Sequence, residues 1–240
     1  MSDPSLDVSV VVPVHNEAPS LPILWEELKA VLDGSGWTAE VIFVDDGSAD
    51  GSADIIRQLR ARDPRVRLVR LAANAGLSAA FDAGFRRTRG RVVVTMDSDL
   101  QHDARDIPLL VAHLEGWDAA TGYRRRRQDP WLKRVSSSLA NAIRNAVTRE
   151  NIRDSACSLR AMRRHCLADL PPYQGFHRFV PTLLRIAGHR VVEVPVNHRP
   201  RRFGSSHYGV RNRAWTAFRD LLVVRWMQAR RLDYEAQESA

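Results

Sequence analysis

Two acidic clusters carry the most chemical potential in this sequence. One is Asp45-Asp46-Gly47-Ser48, with Asp50 and Gly51 following, and the other is Asp97-Ser98-Asp99-Leu100-Gln101. Asp, Gly and Ser also make turns, and Asp50 or Ser52 could cap a helix, so each cluster alone admits a purely structural reading. Taken together they point further, because each follows a run of β-branched residues, as does the turn Pro13 to Glu17. Carboxylates held close together repel unless a cation neutralises them. A hard divalent ion with oxygen ligands is the usual partner where a diphosphate also binds. Neither a GxxxxGK[ST] loop nor a GxGxxG turn is present, so the phosphates are not expected to sit in a P-loop or dinucleotide manner.

The elements that must position these groups are legible in the hydropathy pattern. Apolar runs at 8–12 and 41–44 flank a helix-periodic stretch at 21–32, which predicts a β-α-β unit. A third unit has 55–59 helical and 66–71 extended, and a fourth joins a helix at 79–85 to a strand at 92–96. Alternation of this kind predicts an α/β fold with a mostly parallel central sheet flanked by helices, binding its ligands beyond the carboxyl ends of the strands. A helix is expected at 109–114. The pattern then loosens through 117–123 and enters the arginine run 124–127. Residues 131–147 have helical period, with Trp131, Val135, Leu139, Ala142, Ile143 and Ala146 on one side. A strand near 155–160, a helix near 176–187, a strand at 191–196 and a final helix over about 210–231 complete the chain. The simplest division is one domain over 1–209 and a C-terminal amphipathic helix and tail over 210–240.

The 240 residues suffice for one large α/β domain. A net charge of +8 and a pI of about 10.4 call for an anionic partner: nucleic acid, lipid headgroups or phosphorylated small molecules. Almost all the basic residues are arginine, which suits bidentate phosphate contacts and is equally what codon bias would give. No zinc knuckle, recognition helix or RNP-like strand is present, which argues against nucleic acid. Cys157 and Cys166 lack metal-ligand spacing and read as reduced structural thiols, favouring a reducing compartment. The acidic N-terminus does not resemble an export signal, and no apolar run reaches the ~18 residues that cross a bilayer. His102, His113, His165 and His189 show no metal-binding spacing, whereas His177 and His198 fall in the half expected near sugar and acceptor.

The segments VVPVHNE, FVDDGSADGS and MDSDLQ, in this order, resemble the motifs of inverting family 2 glycosyltransferases of the GT-A fold. The likeness continues through TGYR at 121–124, DSACSLRAMRR at 154–164 and EVPVNHRPRRFGSSHYG at 193–209. That run is similar to the polyprenyl-phosphate sugar transferases, the group containing dolichol-phosphate mannose synthase and bactoprenol glucosyltransferases. The resemblance implies that Pro13, His15, Glu17, Val44, Asp45, Asp46, Asp97 and Ser98 bind a nucleoside-diphosphate sugar. Asp99 and Gln101 would hold Mg²⁺ or Mn²⁺. Arg160, Arg201, Ser206 and His207 would face the acceptor and its phosphate, with Gly204 in the same loop. Asp99, Arg124 and Arg201 would stand at the reaction centre. His15 replaces the usual tyrosine, and His207 replaces the usual lysine.

The acceptor so implied is a polyprenyl phosphate, whose second pKa near ~6 leaves it largely anionic at neutral pH. Such a nucleophile needs positioning more than deprotonation, so Asp99 is expected to act as a ligand and not a base. Two basic amphipathic stretches, around Trp131 and from Arg211 to Arg231, could lie on an anionic membrane surface or pack on the domain. The enzyme is therefore expected to be peripheral on the cytoplasmic face, with a separate membrane protein as a possible recipient of its product. The rival reading is a soluble family 2 transferase acting on a saccharide or small-molecule hydroxyl. A processive synthase is disfavoured, because Arg225-Trp226 lacks the glutamine of a QxxRW motif.

Overall fold

The valine runs become the middle of a seven-stranded sheet because helices cover both of its faces. The computed structural model describes residues 6–124, 141–203 and 210–230, and for 210–217 the backbone alone. The strands are β1 (Leu6–Val14), β2 (Ala39–Asp45), β3 (Val66–Arg70), β4 (Gly90–Thr95), β5 (Ala119–Arg124), β6 (Arg160–Arg163) and β7 (Val191–Val196). They are ordered β3-β2-β1-β4-β6-β5-β7. β1 pairs in parallel with β2 and β4, β2 with β3, and β5 with β7. Only β6 runs antiparallel to its two neighbours. The mostly parallel sheet expected from the sequence is thus present.

Helices α1 (Leu21–Ser35) and α2 (Ser52–Arg62) press Leu24, Leu28, Leu32 and Ile56 onto one face, against Val10, Val12 and Phe43. The other face carries α3 (Leu77–Phe85), α6 (Val180–Ile186) and α7 (Val210–Ala229), with Phe81, Leu183, Leu221 and Val224 packed on Val11 and Val93. Between them in the chain come α4 (Ile107–Ala112) and α5, described over 141–148. Because β2, β1 and β4 are adjacent, the turns that follow them meet at one edge of the sheet.

Three expectations need correction. Residues 117–123 contain a strand, β5, which alternates too weakly to be read from the sequence yet lies between β6 and β7 in the sheet. The strand expected near 155–160 begins only at Arg160, because 155–156 form a turn and 157–159 are irregular. On α5, Ala142, Ile143 and Ala146 face solvent, while Arg144 is buried and donates to Asn145 Oδ1 (2.8 Å) and the Ile152 carbonyl (3.3 Å). The apolar side of that segment is therefore not its packing side. Trp131, Val135 and Leu139 lie outside the described residues.

Candidate active site

Each acidic cluster is fixed by its own local chemistry. At the end of β2, Gly47 adopts φ +67°, and a Cβ there would stand 2.6 Å from the Asn74 backbone nitrogen. Glycine thus lets the β3–α3 loop close over the turn. Asp46 locks the closure by accepting from the amides of Ala75 (2.7 Å) and Gly76 (2.9 Å). His15 Nδ1 meets the Asp46 carbonyl at 2.8 Å, and the Asn74 amide lies 3.1 Å from the ring's other nitrogen. After β4 the chain turns at Leu100, whose φ of +63° is unfavourable for a residue with a side chain. Complete burial of that side chain holds the turn, so the conformation that presents Asp97 and Asp99 is maintained by the core.

The turns enclose a cleft of about 370 Å³. Its walls include Pro13, His15, Glu17 and Asp46 on one side, and Asp97, Ser98, Asp99 and Gln101 in the middle. Arg160 and Arg201 join them, while Phe81, His177 and Arg178 line the α3 side. His177 is fixed there by a 2.8 Å contact with Ser78 of α3.

The electrostatics divide the two central carboxylates. Burial acts to raise Asp97, but His102, Ser158 and Arg160 outweigh it and hold the group below the usual carboxylate range. His102 Nε2 lies 2.9 Å from Ser158 Oγ and 3.6 Å from Asp97. Asp99 is pushed up to about 6, first by burial and then by the charge of Asp97. The pair therefore lacks positive charge. Arg201 supplies part of it from the far end of the chain, bonding Glu17 and standing 3.8 Å from Asp99. Arg160 is almost wholly buried. One of its Nη atoms donates to the Ser155 carbonyl at 3.2 Å, and its Nε meets no acceptor among the described residues.

An acidic pair short of charge, with oxygen donors and a glutamine beside it, suits a hard divalent cation. Asp97, Asp99 and Gln101 are the residues present to hold one. An arginine buried beneath them with an unused donor suits a phosphate.

Most of the residues expected at the site converge here, and several do not. Val44 is buried in the core, and Asp45 is buried beside Arg70 and accepts from the Ser48 amide, so neither lines the cleft. Arg124 also lies off the cleft wall, bonded through Nε to Asp154 at 2.6 Å. Gly204, Ser206 and His207 fall outside the described residues. His102, expected to be an ordinary histidine, stands at the site, as do Ser158, Phe81 and Arg178, for which no role was expected. His102 directly follows the second acidic cluster, which is the one signal that could have drawn attention to it.

Residues 9–170 match the model of the family described as Glycosyl transferase family 2. The chain is 40% identical over 205 residues to an undecaprenyl-phosphate 4-deoxy-4-formamido-L-arabinose transferase from Aeromonas hydrophila, a match covering 85% of this chain and 63% of that protein. It thus spans less than two thirds of the length of this curated relative. Among solved structures it is similar to glucosyl-3-phosphoglycerate synthase from Mycobacterium tuberculosis. The complex of that enzyme with Mn²⁺ and UDP-glucose gives a TM-score of 0.70 at 20% identity, covering 95% of this chain and 81% of the other. Its complex with Mn²⁺, UDP and phosphoglyceric acid gives 0.70 at 22% identity, covering 95% and 80%. At such identities the likeness speaks for the fold, which is that of GT-A enzymes.

Proposed function

The chain belongs to glycosyl transferase family 2, and from that premise we propose that it transfers a sugar from a nucleoside diphosphate to a polyprenyl phosphate, with inversion, at the cytoplasmic face of a membrane. The observation that carries the reading is the gathering of Asp97, Asp99, Arg160 and Arg201 around one cleft, which offers both a cation and phosphates their natural partners. A bound Mg²⁺ or Mn²⁺ supplies charge that stabilises the departing diphosphate. The protein's own groups do the rest. His102 and Ser158 orient Asp97, Arg201 aligns phosphate from the side of Glu17, and Arg160 offers its unused donor from beneath. No side chain need remove a proton, because the acceptor oxygen is already anionic.

The lipid acceptor is supported by the name of the Aeromonas relative and by the surface of α7. Leu221 and Val224 are buried on its inner side. Phe218, Leu222, Val223 and Trp226 are exposed on the other, beside Arg219, Arg225 and Arg230. No helix among the described residues is long and apolar enough to cross a membrane. An apolar ridge flanked by arginines matches an anionic lipid surface in both respects. The deciding experiment incubates the purified protein, Mn²⁺ and a panel of radiolabelled UDP- and GDP-sugars with undecaprenyl phosphate, and separately with water-soluble saccharides. Label appearing in the organic phase supports the proposal. Label transferred only to a saccharide hydroxyl would establish the soluble-transferase reading instead.

A further inference from the structure

We propose that Arg178 is the residue that receives the acceptor's phosphate, and that its contact with α7 places that phosphate beside the lipid-facing helix. The inference rests on the lipid-phosphate reading above and adds a residue to it. Arg178 belongs to the short turn Phe176–Arg178 and lines the cleft on the α3 side with His177 and Phe81. Arg201 is engaged by Glu17 and Asp99 across the cleft, and Arg160 lies beneath Asp97. Arg178 is thus the cleft arginine farthest in its contacts from the nucleotide turns.

What distinguishes it is the connection to α7. Arg178 Nη1 stands 3.4 Å from Asp220 Oδ2, too long for a strong ion pair and short enough to orient the guanidinium. Gly175, which precedes the turn, leaves room for Asp220 to approach. A Cβ on Gly175 would lie 2.4 Å from Asp220 Oδ2, and its φ of +103° is one that other residues rarely adopt. The Gly175 amide in turn donates to Ser78 Oγ at 2.8 Å, which joins the turn to α3. Along α7, Asp220, Leu221 and Val224 face inward, while Phe218, Leu222 and Trp226 face out. The cleft arginine and the apolar ridge are therefore separated by the thickness of one helix, about 10 Å. A flexible prenyl chain lying against the ridge spans that distance and brings its phosphate to Arg178. The side chain of Arg178 is 31% exposed, so an anion entering the cleft can take it from Asp220.

The test measures binding of farnesyl phosphate to the full chain by titration calorimetry, with UDP and Mn²⁺ present. Farnesol and inorganic phosphate are measured in parallel. For Arg178→Gln the expected result is a loss of about tenfold or more in farnesyl phosphate affinity, the scale of a hydrogen bond between charged groups. Farnesol binding and the affinity for UDP with Mn²⁺ should change by less than about twofold. Arg178→Lys, which keeps the charge and loses the fork, should fall between. Wild-type binding of farnesyl phosphate with no loss in either variant overturns the role of Arg178 alone. A loss of UDP affinity instead would place Arg178 on the donor side and overturn it as well. A wild-type protein that binds UDP and Mn²⁺ but no prenyl phosphate overturns the acceptor reading and this inference together. Binding of inorganic phosphate as tight as that of farnesyl phosphate would assign the site to free phosphate and overturn the lipid placement.

Discussion

Arg201 and Glu17, 184 residues apart, are bonded in the cleft, and the same guanidinium stands 3.8 Å from Asp99. The segment after β7 thereby reaches back to the turn after β1 and closes the site over the acidic pair. Arg201 serves two carboxylates at once through separate nitrogens, a task that suits a planar fork and not an ammonium. Arg201→Lys should leave the protein folded and lower kcat/KM by about tenfold or more, since one charge-assisted hydrogen bond is worth ~1.5–3 kcal/mol. Initial rates at subsaturating acceptor would show it, and unchanged turnover would remove Arg201 from the site.

Asp99→Asn separates function from stability. The folded state raises Asp99 to about 6, so its ionisation weakens the fold progressively as pH rises from the ordinary carboxylate range through 6. Removing the charge should raise the melting temperature of the metal-free protein at pH 7.5 and abolish the further rise that Mn²⁺ with UDP gives the wild type. Thermal melts with and without Mn²⁺ and UDP test both halves. A mutant still stabilised by the additions would exclude Asp99 as a ligand.

Glu40 predicts the opposite pH behaviour. It is buried at the other end of the sheet, and burial acts to raise it. Ser9, Arg67 and Arg89 prevail and hold it below its ordinary value. Its contribution to stability is therefore present above the unfolded carboxylate pKa of about 4.3 and is lost as pH falls below that through the folded value. Glu40→Gln should melt several degrees lower at pH 7, and the gap should narrow as pH falls below the ordinary carboxylate range. A gap independent of pH would show that shape and not charge matters there.

The exposed ridge of α7 gives a direct prediction about membranes. The protein should co-sediment with anionic vesicles at low salt, and ~0.5 M salt should weaken the association by screening. Trp226→Glu should weaken it further while sparing nucleotide affinity, because Trp226 points away from the cleft. Wild-type protein that remains in the supernatant with vesicles of every composition would refute the assignment.

The two thiols should be inert in the folded protein. Burial pushes Cys157 up to about 12 and Cys166 up to about 11, which leaves almost no thiolate at pH 8. Alkylation by iodoacetamide followed by mass spectrometry should label neither residue until denaturant is added. Rapid labelling of either one in the native state would contradict the packing around it.

The sequence by itself determined the layout of the nucleotide half. Valine runs buried on both faces and the helices between them are local patterns, and the turns at Pro13, Asp45 and Asp97 follow them in the chain. That the three turns would share one edge follows from the parallel order. Tertiary structure decided what each side chain does there. Asp45 and Asp46 are neighbours of the same type, yet one faces Arg70 in the interior while the other closes the β3–α3 loop on the cleft wall. Arg124 carries the same charge as Arg160, but Asp154 takes it up away from the cleft. His102 matters because Ser158, 56 residues later, arrives beside it. β5 lies in the sheet between two strands whose pairing supplies what its own weak alternation does not. Hydropathy period is a property of neighbours in the chain, whereas charge pairing and burial depend on groups brought together from distant segments. The elements were therefore legible in the sequence, and the partners of the site residues were not.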